Sequence, residues 1–290
     1  MAPYGRLMTV PLLEVAAMSG AFPEHASRRR RYLMCPPRYF DVSYSINPWM
    51  DRSVPVDRAR ATAQWEHLVE TYEGLGHDVE IIEPVPEAPD MVFSANGAVV
   101  RGGRVLTARF RHRERAAEQV PYRQWFVEHG FHDVRAARAF CEGQGDVAFA
   151  GPVALAGWGF RTTRSAHHEL QEFFGRPVVS LRLCDPRFYH LDMALCVLDE
   201  RTVAYYPPAF SAGTRCVLER LFPDAIRVGD ADAYSLGLNA VSDGHHVVLP
   251  VAAVGMHDVV RTRGFEPVPV EMSEFVKAGG GVRCCTLELR

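Results

Sequence analysis

With 290 residues, 48% hydrophobic and 23% charged, the chain has the composition of an ordinary globular protein and the length of one large domain rather than two. A net charge of −3 gives no ground for a nucleic-acid or anionic-membrane partner, and no apolar run approaches the roughly 20 residues of a membrane-spanning helix. The seven cysteines, Cys35, Cys141, Cys184, Cys196, Cys216, Cys284 and Cys285, are odd in number and form no C-x-x-C pair. With no signal-peptide pattern, they read as reduced thiols of a cytoplasmic protein rather than a disulfide framework or a zinc knuckle.

Residues 1–31 carry an apolar stretch at 12–18 and then four arginines, Arg28 to Arg31. A signal peptide places its positive charges before its apolar region, so the order is reversed here. The segment is expected to be a poorly ordered extension, with a single domain over 32–290. Residues 31–38 read as a short strand ended by two prolines, and 39–51 as an aromatic, turn-like segment at Asn47-Pro48. Helical spacing over 56–76 puts Ala63, Trp65, Leu68 and Tyr72 on one side, with Gly74 and Gly76 as the stop. An alternating strand follows at 78–83.

A unit then recurs. Apolar hairpins are predicted at 97–107, 146–156, 193–204 and 240–249, turning at Gly102-Gly103, Gly151-Pro152, Asp199-Glu200 and Asp243-Gly244. Each is followed by helical spacing (113–129, 165–174, 214–222, 257–263), and from the second unit on a further strand is predicted at 178–183, 225–228 and 268–270. Repeats of this kind form solenoids or closed rings. No unit looks like a polar cap, so a ring is favoured, with the strand after Cys284 completing the blade begun near Leu33. The fold class expected is therefore α/β, a propeller of five hairpin–helix–strand blades.

The polar residues fall in phase with this period. Asn47, Asn96, Glu142 with Asp146, His190 with Asp192, Asn239 and Cys284 each precede a hairpin or its equivalent, at steps of 49, 46, 48, 49 and 45 through Glu142 and His190. In a ring, equivalent positions face one central opening. On spacing alone, Gly279-Gly280-Gly281 followed by Cys284-Cys285 reads as a glycine turn into a core strand with two buried thiols. The ring phase instead places Cys284 with a histidine and several carboxylates. A thiol near a histidine is the arrangement of an activated nucleophile. Acids around it suit a planar cation, because carboxylates pair bidentately with a guanidinium. No cysteine or histidine pair has zinc spacing, and no metal or cofactor is expected.

The motifs Asp90-Met-Val-Phe-Ser-Ala-Asn96, Glu142-Gly-Gln-Gly-Asp146, His190-Leu-Asp192, Asn239 and Gly279-Gly-Gly-x-x-Cys284 resemble those of the guanidino-group-modifying enzymes: dimethylarginine dimethylaminohydrolases, arginine dihydrolases, arginine deiminases and amidinotransferases. The resemblance spans 33–290 and implies the pentein fold, a five-bladed α/β propeller. The segment from Met34 to Met50 looks most like the branch with arginine dihydrolases and bacterial dimethylargininase-like proteins.

What the resemblance implies is a cysteine-dependent hydrolase of L-arginine or an N-methylated arginine, without cofactor, giving citrulline plus ammonia or amine, and in a dihydrolase ornithine. Cys284 would be the nucleophile, His190 the general acid/base and Glu142 a binder of the guanidinium. Asp192, Asn47 and Asn96 would contact substrate, and Arg115 and Arg161 would hold its α-carboxylate. Cys285 would have no chemical role. Competing readings make Arg115 a surface arginine, Asn47 a turn residue, and Asp146 and Asn239 turn caps. His112, His167, His168, His245 and His246 are expected to be exposed and without a role. Deiminases carry an aspartate at the position of Asn96, and the amide resembles the dihydrolase pattern. An amidinotransferase, or a non-catalytic arginine sensor on the same fold, are the alternatives.

Overall fold

A computed structural model describes residues 25–290. Among these residues fifteen short strands form five three-stranded sheets, each with an antiparallel pair, a hairpin in four of the five, and a parallel third strand added after a helix. β1 (Arg31–Met34) leads through α1 (Arg58–Gly74) to β2 (Asp78–Ile81), its parallel neighbour. The second blade is β3 (Ala98–Arg101), β4 (Arg104–Thr107), α2 (Gln119–Glu128) and β5 (Asp133–Ala136). The short helix α3 (Gly143–Asp146) opens the third blade, β6 (Val147–Ala150), β7 (Val153–Trp158), α4 (Arg164–Phe174) and β8 (Val178–Arg182). The short helix α5 (Leu191–Ala194) opens the fourth, β9 (Leu195–Val197), β10 (Val203–Tyr205), α6 (Ala212–Leu221) and β11 (Ile226–Arg227). After α7 (Asp230–Tyr234), the fifth blade is β12 (Val241–Ser242), β13 (His246–Pro250), α8 (Val254–Thr262) and β14 (Glu266–Val270). Helix α9 (Ser273–Val276) then leads to β15 (Leu287–Glu288).

β15 returns to the first blade. It pairs antiparallel with β1, Tyr32 opposite Glu288 and Leu33 opposite Leu287, so a ring of five blades closes through strands from opposite ends of the fold. The predicted hairpin–helix–strand unit and its closing strand are both present.

Local chemistry explains the element ends. Asp57 caps α1, its side chain accepting from the Arg60 N–H at 3.0 Å. The helix buries Ala61, Gln64, Trp65, Leu68 and Tyr72, while Ala63, expected on this side, is exposed because it falls two residues, about 200°, from Ala61 and Trp65 around the helix. Helix α4 ends where Gly175 takes a left-handed conformation, φ 61°.

The expected extension over 1–31 lies largely outside the described residues, but residues 25–31 lie against the fold. β1 begins at Arg31, Arg28 pairs with Glu200, Arg29 with Asp78, Arg30 with Glu288 and Arg31 with Glu80. These acids are 49 to 258 residues away in the chain and invisible to local reasoning. A second correction concerns His167. It is buried, with Nδ1 2.7 Å from the Ser180 hydroxyl and Nε2 3.3 Å from the Gly157 carbonyl.

Candidate active site

The first strand of each hairpin, and β15 in its place, starts within a few residues of a polar side chain: Asn96 before β3, Asp146 before β6, Asp192 before β9, Asn239 before β12 and Cys284 before β15. β9 adjoins both β6 and β12, so these starting points converge at one end of the axis.

Cys284 is 2% exposed. Its Sγ lies 3.3 Å from Asp192 Oδ2 and receives the Asn239 amide at 3.1 Å. The Asn239 carbonyl oxygen accepts the Cys284 N–H at 3.1 Å, so this one side chain holds both the backbone and the sulfur. The glycine run is demanded by close packing. A Cβ on Gly280 would stand 2.1 Å from the Phe93 ring, one on Gly281 2.9 Å from Asn239 Oδ1, and Gly279 has φ 78°. Burial and the neighbouring Asp192 push the Cys284 thiol well above its ordinary pKa, so the resting sulfur is protonated. Burial raises Asp192 itself to about 7.

The second group is an imidazole held by a carboxylate. His190 Nε2 lies 2.8 Å from Glu142 Oε2, the same oxygen accepts Arg161 Nη1 at 3.0 Å, and Oε1 accepts the Arg111 N–H at 3.1 Å. Burial alone would raise the Glu142 pKa, but Arg161 and His190 outweigh it and hold the carboxyl well below its usual range. Arg161 also donates to the Ile46 carbonyl and lies over the Tyr189 ring, 4.5 Å from its centroid. Asp146 accepts the N–H groups of Leu191 and Thr162 and lies 4.0 Å from His190 Nε2, and burial raises it to about 6.

The third group surrounds Arg115, which is 3% exposed rather than on the surface. Its guanidinium pairs bidentately with Glu118 at 2.6 and 2.7 Å, donates to Asn96 Oδ1 at 2.7 Å and to the Asp90 carbonyl at 3.2 Å. Asn96 donates in turn to the Glu142 carbonyl at 3.4 Å. The Asn47 amide donates to the Ala278 carbonyl at 3.0 Å and its oxygen accepts the Trp49 N–H at 2.9 Å, so Asn47 clasps its own loop to the segment before the glycine run.

Asp90, Tyr189 and the cysteine-holding part of Asn239 were not singled out from sequence. Asp90 Oδ2 accepts the Tyr44 hydroxyl at 2.9 Å, while Asp90 Oδ1 and Asp192 Oδ1 are buried with no hydrogen-bond partner in the protein. Both carboxylates, Cys284 and Arg161 lie within electrostatic reach of the buried Tyr189, whose hydroxyl donates to the Gly279 carbonyl at 2.9 Å. A usable signal existed: Asp90 opens the motif ending in Asn96, and Tyr189 directly precedes His190.

A buried thiol, a carboxylate-held imidazole and two bare carboxylate oxygens, gathered at one end of a five-bladed α/β propeller, define a cysteine-type hydrolase of guanidino groups. The chain belongs to the dimethylarginine dimethylhydrolase family, since the family model described as N,N dimethylarginine dimethylhydrolase, eukaryotic, matches residues 43–290. It is 54% identical over 274 residues to N(G),N(G)-dimethylarginine dimethylaminohydrolase of Mycobacterium tuberculosis, covering 94% of this chain and 90% of that protein. It is 37% identical over 266 residues to the bifunctional arginine dihydrolase/ornithine cyclodeaminase ArgZ of Synechocystis, covering 89% of this chain but only 37% of that longer protein. The N-terminal domain of ArgZ, solved covalently bound to a reaction intermediate, is similar with a TM-score of 0.86 and 36% identity, over 90% of this chain and 98% of that one.

Proposed function

We propose that this protein hydrolyses the guanidinium group of L-arginine or an N-methylated arginine through a covalent S-alkylthiouronium on Cys284, within a single catalytic domain over 32–290. The observation that carries the reading is the pair of bare buried oxygens, Asp90 Oδ1 and Asp192 Oδ1, on carboxylates that both lie within electrostatic reach of Tyr189, Asp192 contacting the thiol through its other oxygen. A buried carboxylate without a partner is costly, and a planar cation lying between two of them satisfies both. A neutral amide substrate would bring no positive charge to offset them.

Cation binding also accounts for activation of the thiol. At rest, burial and Asp192 keep Cys284 protonated. A guanidinium against Asp192 favours its ionised form and lowers the cost of a thiolate. Glu142 engages Nε2 of His190, leaving Nδ1 to take the thiol proton. Sγ attacks the guanidinium carbon, and His190 passes that proton to the departing ammonia or amine as the C–N bond breaks. His190 then deprotonates a water, which attacks the thiouronium carbon. The C–S bond breaks, and the ureido product leaves as the thiol regains its proton. The electrophile is already charged, so this sequence needs neither metal nor organic cofactor.

The partners of Arg115 and Arg161 support positioning roles rather than the α-carboxylate grip expected of them. Arg161 aims Glu142 at His190, and Arg115 fixes Asn96 and the Asp90 main chain. Asn47 fixes the loop over the site. Asn96 favours a second round, in which bound citrulline is attacked again to give ornithine, ammonia and carbon dioxide. The ArgZ structure with a covalent intermediate supports the thiol route for a relative that is a named arginine dihydrolase. The partner is a small guanidino molecule, not nucleic acid or membrane, and no helix among the described residues is long and apolar enough to cross a membrane. Seven free thiols support a cytoplasmic location.

Incubation with L-arginine and with N,N-dimethylarginine, followed by assay for citrulline and ornithine, tests the proposal. Turnover of neither, with no thiol labelling at Cys284, overturns it. Product formed only when an amine acceptor is added would indicate an amidinotransferase.

A further inference from the structure

The turn between β12 and β13 lies at the far end of β12 from Asn239 and takes no part in the site above. Two histidines and a glutamate converge there. His245 Nε2 is 3.5 Å and His246 Nε2 3.8 Å from Glu266 Oε2, and one ligand atom from each residue lies within 4.8 Å of the others. Hydrogen bonds from these nitrogens would be shorter, about 2.7–3.2 Å. Ligand atoms of a tetrahedral ion with bonds of about 2.0–2.1 Å stand roughly 3.3 Å apart, so the spacing is close to that of a metal's coordination edge.

The backbone builds this spacing. His246 is the register partner of Glu266 in the parallel β13–β14 pair, which puts the two side chains next to each other on the sheet. Successive strand residues normally point to opposite faces, but Gly244 at φ 104° bends the chain just before them, and the two imidazole rings stand 4.7 Å apart. Asp243 Oδ2 lies 2.8 Å from His246 Nδ1, which fixes that tautomer and leaves the Nε2 lone pair for a cation. Asp243 is itself anchored by the N–H groups of His245 and His246, at 2.8 and 2.7 Å, by the Ser27 hydroxyl at 2.8 Å, and by His77 at 3.5 Å. His245 Nδ1 is buried without a hydrogen-bond partner, so the fold does not consume that ring. The three side chains are 34%, 19% and 63% exposed, open enough for an ion to enter.

We propose that His245, His246 and Glu266 form a zinc site, with Asp243 orienting His246 behind it and water completing the coordination. Two imidazoles and a carboxylate are a donor set that zinc takes readily. The ion would cross-link the turn of blade five to β14, directly beneath the Ser27 segment that Asp243 also holds.

The test uses tag-free full-length protein stripped of metal. Zn²⁺ titrated by calorimetry should bind at one equivalent. His246→Ala and Glu266→Gln should each weaken binding by about tenfold or more, and Asp243→Asn by about 10- to 100-fold, with circular dichroism unchanged in the first two. Zn²⁺ should raise the Tm of the wild type and not of His246→Ala. Co²⁺ should give weak visible bands without an intense near-ultraviolet thiolate band. No saturable binding, equal affinity in His246→Ala and Glu266→Gln, or a thiolate band abolished by Cys284→Ser would each overturn the assignment.

Discussion

Glu142→Gln keeps the shape of the side chain and removes its charge, and the structure lets the consequence be worked through. The carboxylate accepts from Arg161 at 3.0 Å and His190 at 2.8 Å through one oxygen, and from the Arg111 N–H at 3.1 Å through the other. Both side-chain partners are only 2% exposed. An amide can still accept at one atom, but the Arg161 charge is left buried without its counter-ion, which costs about 3–5 kcal/mol. At about 2–4 °C per kcal/mol, Tm should fall by roughly 6–20 °C. The orientation of His190 goes with it, and kcat should drop about 10²- to 10⁴-fold. Urea unfolding monitored by circular dichroism reads the first effect and citrulline release the second. The double variant Glu142→Gln/Arg161→Met removes both charges and should recover part of the stability but none of the activity. A single variant that unfolds within about 1 kcal/mol of the wild type would refute the premise that this is a desolvated, mutually dependent pair.

Cys284→Ser should abolish turnover, and Cys285→Ser should leave it within a few-fold of the wild type; the reverse would mean that the other sulfur is the nucleophile. The raised pKa of Asp192 favours the protonated form in the folded, ligand-free state, so its contribution to stability is full below about pH 4 and is lost as pH rises towards about 7. Asp192→Asn should flatten that part of the urea midpoint-against-pH curve, and should weaken arginine binding at pH 8 more than at pH 6; equal weakening at both would argue against a titrating Asp192. Glu142 has the opposite sign, and its contribution disappears only as pH falls below the usual carboxylate range. Asn96→Asp should shift product from ornithine towards citrulline, read by amino-acid chromatography, and an unchanged ratio would remove the case for a second hydrolysis.

Much of this architecture was legible because each blade repeats one grammar of apolar hairpin, glycine or acidic turn, helix and strand. The polar residues could be phased on that period, and the phasing is what gathers Asn96, Glu142, His190, Asn239 and Cys284. The illegible parts share a physical reason. Helices α3 and α5, which carry Asp146 and Asp192 at their entrances to β6 and β9, are four residues long, too short for a helical period to register. Arg115 and Glu118 have the spacing of a surface helix pair, and only tertiary packing reveals that both are buried. The same holds for His167, satisfied by Ser180 across the blade, and for Arg28 to Arg31, whose acids lie far along the chain on β2, on β15 and in the turn between β9 and β10.

Cys284, the proposed nucleophile, sits just before β15, the strand that seals the ring against β1. Bringing those two strands together requires contacts between residues some 250 positions apart, the most remote pairing in the fold and the costliest in chain entropy. Chemistry is thereby made contingent on closure. A molecule with four blades formed and the last seam open would keep most of its helix and sheet yet hold its sulfur away from Asp192 and Asn239, so enzymatic turnover reports on the seam where spectroscopy reports on the blades.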